Sequence, residues 1–242
     1  QQTKDTASDD TGSWEVRLKY AYLYLDEVLP HTGVELGQVH RPWIDYEEHN
    51  SWAYRSISKV FVEDKNHGVD FTNSADLGFN VKTKLPYFSS ELGLFNGEGY
   101  HAIENGEGIS AEWRLTGHLL GTGEEKANKD LQYANVSFFG QRHSDDTKLR
   151  GNADGDFNWY GVHAVYNQPE FLLAGQYIAT QDAKASLEGT GYSFNGEYRF
   201  MPDFSLVGMY NSYDYDNDTQ MNGWLAGVAY SYNKNVKFIA NY

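Results

Sequence analysis

Residues Ser13 to Asp26 alternate in polarity almost without a break, and that run limits the folds open to this chain more than any other feature. Trp14, Val16, Leu18, Tyr20, Tyr22 and Tyr24 fall on one face; Glu15, Arg17 and Lys19 fall on the other, followed by Ala21, Leu23 and Leu25. A period of two sustained over a dozen residues is a single long strand. Strands of globular proteins run about 5–6 residues, whereas a tilted strand crossing a bilayer needs about 9–11. In a soluble sandwich the oily face would be core, and Arg17 and Lys19 would meet water. In a membrane barrel the oily face meets lipid and the charges line a lumen.

The same pattern returns along the chain. Leu77, Phe79 and Val81 oppose Asp76, Asn80, Lys82 and Lys84; Ile109, Ala111, Trp113, Leu115 and Leu119 oppose Ser110, Glu112, Arg114, Thr116 and His118. Tyr192, Phe194, Tyr198 and Phe200 oppose Ser193, Asn195, Glu197 and Arg199. Further apolar rows run through Trp224 to Tyr232 and Val236 to Tyr242, with less regular strands at 132–142, 158–166, 171–180 and 204–213. Many rows end in Trp, Tyr or Phe, as interfacial girdles do, and the opposite face carries both charge signs. The expected fold class is all-β, a transmembrane antiparallel β-barrel.

Connections alternate in length, as outer-membrane barrels require. Short turns fall at 27–32, 86–88, 167–170, 201–203 and 233–235, and 122–130 occupies a short-turn slot although it is longer. Polar long connections fall at 41–73, 96–108, 143–157, 181–188 and 214–222. A strand-like stretch, Tyr54 to Val62, would break this phase and is placed inside the first long connection, leaving twelve wall strands. With short turns on the periplasmic side the last strand runs outward, so we expect either unusual ends or missing terminal strands. The chain 1–242 reads as one barrel domain.

Aromatic residues make up 16% of the chain, which is why the girdles are so well supplied. No signal peptide is visible in Gln1-Gln-Thr-Lys-Asp-Thr, so the chain reads as mature or as never having carried one. No apolar run approaches the roughly 20 residues of a membrane helix, which does not bear on a barrel. The net charge of −15 argues against nucleic acid as a partner. With no Cys, no Gly-x-Ser-x-Gly elbow, and nothing to single out His101 with Glu104 or Glu107, an enzyme is not expected. Gly97-Glu-Gly99 lacks the Lys and helix of a phosphate cradle.

A connection of over thirty residues between short strands is abnormal in a compact domain and is usually functional. We expect 41–73 to fold into the barrel and narrow it. The block Leu36-Gly-Gln-Val-His-Arg-Pro-Trp-Ile-Asp-Tyr-Glu-Glu48, with Asp76-Leu-Gly-Phe79 and Glu91-Leu-Gly-Leu-Phe-Asn-Gly-Glu-Gly99, resembles the phosphate-selective porin O and P family. More closely it is similar to the major outer-membrane porins of ε-class bacteria. The resemblance implies a sixteen-stranded homotrimeric barrel whose constriction loop follows the fifth strand. This chain would then supply strands four to fifteen. Phosphate selectivity in that family rests on clustered basic residues, and this chain is strongly acidic, so the resemblance supports a porin more than a phosphate site.

Candidate constriction residues are Arg41, Trp43, Asp45, Glu47, Glu48, Arg55 and Lys59, with Trp43 and Ile44 as loop anchors. Arg17, Lys19, Lys82, Lys84, Arg114 and Arg199 are the candidate lumen wall. Acidic groups on a loop facing basic groups on a wall would set a transverse field, so that selectivity follows from radius and charge rings. No cofactor and no specific metal site is expected. Asp214, Asp216 and Asp218 lack the Gly and Glu of an EF-hand. These, and Asp145, Asp146, Asp154 and Asp156, are expected to be solvated or loosely bridged by divalent cations to lipopolysaccharide.

The expected function is passive diffusion of small hydrophilic solutes and ions across a Gram-negative outer membrane. The acidic balance favours cations, while the basic wall leaves anions open. Competing readings are a non-transport barrel (adhesin, scaffold or hydrolase) and a soluble β-sandwich binding protein such as a lectin.

Overall fold

The computed structural model describes residues 2–4, 14–16, 18–100, 108–146, 149–233 and 235–242. Gln2–Lys4 (β1) and Trp14–Val16 (β2) pair as a small ribbon. The main sheet holds twelve antiparallel strands, each bonded to its neighbours in the sequence. They are Ala21–Leu29 (β3), Thr32–His40 (β4), Ala75–Lys84 (β5), Phe88–Phe95 (β6), Ser110–Leu120 (β7) and Tyr133–His143 (β8). Phe157–Gln168 (β9), Phe171–Gln181 (β10), Gly189–Met201 (β11), Phe204–Tyr215 (β12), Gln220–Asn233 (β13) and Val236–Asn241 (β14) complete it. The sheet is open: β3 and β14 are its edges.

Burial follows the alternation. Phe79 (38% exposed), Phe194 (57%) and Trp224 (54%) point outward, whereas Asp76, Asn80 and Thr116 are fully buried on the inner face. That arrangement is inverted relative to a soluble sheet, and hydrocarbon is the solvent that makes it favourable. No helix among the described residues is long and apolar enough to cross a membrane.

Three local expectations need correction. The run from Ser13 to Asp26 is not one strand, since 18–20 is irregular. Its pairing with β4 ends at Ala21↔Gln38, while β4 itself runs on to His40 on its bonds to β5. The first short turn tightens to Pro30 and His31 because β3 runs on to Leu29. The connection drawn at 214–222 shrinks to 216–219, because β12 and β13 pair as far as Asp214↔Gln220.

The 41–73 connection opens with a helix that the sequence reading did not foresee, Pro42–Asn50 (α1). Pro at its start fits the fixed φ of a first helical residue, and Asp45 in the first turn complements the helix dipole. After Trp52 the chain makes turns. The Tyr54 to Val62 stretch forms no wall strand; Val69 and Phe71 instead donate backbone hydrogen bonds to Phe61 and Val62 (3.0 and 2.8 Å).

The wall curls around this segment. Side chains of 41–73 touch β5 through Lys82, β7 through Glu112, β8 through Phe139 and β10 through Gln176. The Tyr54 side chain also reaches β11 through Glu197 and β14 through Lys237, and the His67 backbone carbonyl accepts from Asn211 of β12.

Candidate functional site

The base of the connection closes where the Arg41 N–H donates to the Ser74 carbonyl (3.2 Å). From there the Arg41 guanidinium turns into the wall. It donates to Asp76 (2.6 Å), to the Gly97 carbonyl (3.0 Å), to Gln141 (3.3 Å) and to Glu112. At 1% exposure it is an anchor and not a charge presented to solutes. A guanidinium fork can satisfy two carboxylates at once, which an ammonium cannot do with the same geometry.

α1 has two working faces. Trp43 lies flat on Phe139 of β8 (ring centroids 3.5 Å, 7° between planes). Glu47, on the same side, accepts from Gln176 (2.5 Å) and is buried. Burial pushes its carboxyl up to about 8 despite that hydrogen bond. On the opposite side Asp45 meets Lys82 (3.5 Å) and His49 (3.3 Å). Burial alone would raise its carboxyl, yet His49 and Lys82 hold it well below the ordinary range.

Behind Trp43 the loop builds an apolar core inside the barrel. Ile44, Trp52, Tyr54, Val60, Phe61, Val62, Val69 and Phe71 pack with Phe139, Trp159, Ile178, Met209, Tyr213 and Leu225 of the wall. One inward row of the ladder shows the change of character: Lys82↔Glu91↔Arg114↔Phe139↔Gly161↔Ile178. The first three are charged and the rest are not. Gly161 belongs there because a Cβ would lie 2.7 Å from the Phe139 ring. The loop therefore sits against β8–β13 and leaves its charged face toward β5–β7.

That geometry corrects the expected acidic loop facing a basic wall. Lys82 contacts Glu35 (3.0 Å) and Glu91 (3.8 Å) as well as Asp45, and Arg114 contacts Glu91 (3.4 Å) and lies over the Tyr46 ring (4.6 Å). On the loop, Arg55 pairs with Glu48 and Glu63, and Lys59 pairs with Glu63 (3.2 Å). Charges of both signs are interleaved at contact distance on both sides. The acids Glu35, Glu63, Asp76, Glu91 and Glu112 were missed as site residues, although alternation with Lys82 and Arg114 had already put Asp76 and Glu112 on the inner face.

Arg199 is a turn brace: it donates to the Gln168 carbonyl (2.8 Å) and Asn167 (3.1 Å) and pairs with Glu197 (2.9 Å). Lys19 is half-buried beside the Tyr20 and Tyr100 rings (4.9 and 5.6 Å), and Lys84 is exposed at the short-turn rim. Arg17, His101, Glu104 and Glu107 lie outside the described residues.

Of the acidic connections, Asp214, Asp216 and Asp218 are exposed. Asp146 departs from expectation: it is buried beside His143 (3.4 Å) and accepts the Arg150 N–H (3.2 Å).

No family model matches the chain, and no curated protein matches it. Among solved structures, a triple mutant of the Rh. blastica porin aligns with a TM-score of 0.52 at 10% identity, covering 87% of this chain and 67% of that one. A double mutant of the same porin aligns at 0.50 and 11%, with the same coverage. The fold is that of a porin. Identity this low speaks to the fold alone, so the narrower O and P affiliation is not shown.

Within this porin fold two cavities flank the end of α1 on the short-turn side. One, of about 350 Å³, is lined by Asp45, Lys84, Glu91, Arg114 and Lys126; the other, of about 260 Å³, by Trp52, Lys129, Glu197, Arg199 and Lys237. His49, Asn50 and Tyr133 border both.

Proposed function

We propose that this chain forms a passive diffusion channel for small hydrophilic solutes and ions in a bacterial outer membrane. The observation that carries the reading is the combination of a lipid-suited outer face with a loop docked off-centre inside. That loop leaves one charged arc, around Asp45, Lys82, Glu91 and Arg114, for a solute to pass. Because charges of both signs alternate at contact distance there, a solute meets a series of local dipoles. Selectivity then comes from radius and net charge more than from a tight site. Homotrimeric assembly, contact with lipopolysaccharide through the acidic connections, and a place among the O and P porins belong to the same proposal.

The test is the purified protein in a planar bilayer. Discrete conductance steps are expected, with a reversal potential in a salt gradient whose sign reports a mild preference for cations, given the net charge of −15. A protein that inserts and gives no steps is a non-transport barrel, and the proposal fails.

A further inference from the structure

The β7–β8 connection, 121–132, is long for the short-turn side, and it is tied across the opening. The Gly123 N–H donates to the Pro86 carbonyl (3.0 Å), and Glu124 lies 3.7 Å from His31, so one end is held to the β5–β6 and β3–β4 turns. Asn167 donates to the carbonyls of Asn128 (3.2 Å) and Leu131 (2.5 Å), and Arg199 to that of Lys129 (3.4 Å), which holds the other end to β9 and β11. From above, the Tyr133 hydroxyl donates to the Asn50 carbonyl at the end of α1 (2.7 Å). The 350 Å³ cavity lies between this strap and α1, and its size falls within the range of small-molecule sites.

Its charges are unevenly spread between two levels. At the α1 level three carboxylates, Asp45 and Glu91 with Glu35 behind them, face two permanent cations, Lys82 and Arg114, with the His49 ring beside Asp45 (3.3 Å). At the strap level two lysines, Lys84 and Lys126, line the cavity against one carboxylate, Glu125, and neither lysine forms an ion pair among the described residues. Two unpaired lysines on one cavity stand out in a chain of net charge −15. Lys84 follows Lys82 by two positions on the same face of β5, so the two levels are about 7 Å apart at roughly 3.4 Å per strand residue. An extended dipeptide spans about 7 Å between its charged ends.

We propose that this cavity is a subsite for short zwitterionic peptides. The peptide ammonium sits toward Asp45 and Glu91, and the peptide carboxylate sits toward Lys84 and Lys126. The proposal builds on the diffusion-channel reading above and names a solute that would dwell in the channel.

Calorimetric titration of the detergent-solubilised protein needs no conduction, and alanyl-alanine is the probe. Saturable binding is expected. N-acetyl-alanyl-alanine, which lacks the cation, and alanyl-alanine amide, which lacks the anion, are each expected to bind at least about ten-fold more weakly. Lys84→Gln with Lys126→Gln should weaken alanyl-alanine to the level of its amide, and Asp45→Asn should weaken it to the level of its acetyl form. No binding by alanyl-alanine overturns the proposal. So does equal binding of the acetyl form, the mark of a simple anion site. The three peptides on the unaltered protein decide the matter even if a variant fails to fold. If binding follows the expected order while bilayers show no conductance, the subsite stands and the channel reading falls.

Discussion

At Arg41 a single guanidinium pairs with two buried carboxyl groups, Asp76 and Glu112, and also satisfies the Gly97 carbonyl. Replacing it by Met would leave both acids inside without a cation. Breaking a buried ion network in this way costs about 3–5 kcal/mol. Denaturant unfolding in detergent should show that loss for Arg41→Met, and Arg41→Lys should recover little of it because an ammonium cannot fork between the two acids. Glu47 makes a different prediction. Its carboxyl keeps a proton up to about 8 in the fold, against an ordinary value of 4.5. Between those values the unfolded chain holds fewer protons than the folded one, so stability falls as pH rises, by at most about 1.4 kcal/mol per unit. The contribution is full below about 4.5 and gone above about 8. Glu47→Gln should flatten that slope in unfolding midpoints measured from pH 5 to pH 8, and a variant that keeps the slope would refute the assignment. Neither role was legible beforehand: Arg41 and Glu47 stood out as charges in a polar stretch, and a sequence does not say which charges turn toward the wall.

The element that organises the interior is the 41–73 connection, held by the stack of Trp43 on Phe139. Trp43→Ala removes that contact, with a cost of about 3–5 kcal/mol for a buried aromatic. Single-channel records should then show larger and noisier steps, because the loop no longer lies firmly against β8–β13. Unchanged, quiet conductance would mean the stack does not hold the loop. The wall strands were legible where one face is oily and the other charged, as in β5, β7 and β11. They were blurred in β8, β9, β10 and β12, whose inner faces carry Phe139, Trp159, Ile178 and Met209 under the loop. A strand covered on both faces by apolar partners loses its period-two signature. α1 escaped notice because its buried side mixes Trp43 and Ile44 with Glu47, which leaves no clear apolar stripe.

For the molecule as a whole, the outward-facing Leu173, Tyr177, Phe194, Leu206 and Trp224 suit hydrocarbon. Phe194→Arg should destabilise the barrel by up to about 2–4 kcal/mol if that position lies near the bilayer midplane. Refolding into lipid vesicles measures it, and a neutral effect in lipid would argue against the membrane reading. The docked loop has one more consequence for such a barrel. Because it upholsters one side of the interior, strand number does not set the width of the passage; the share of circumference left bare does. Drift on the bare arc can retune which solutes get through while the scaffold stays put. Drift beneath the upholstery tests only whether the scaffold holds, so tolerance to change should differ between two halves of one ring.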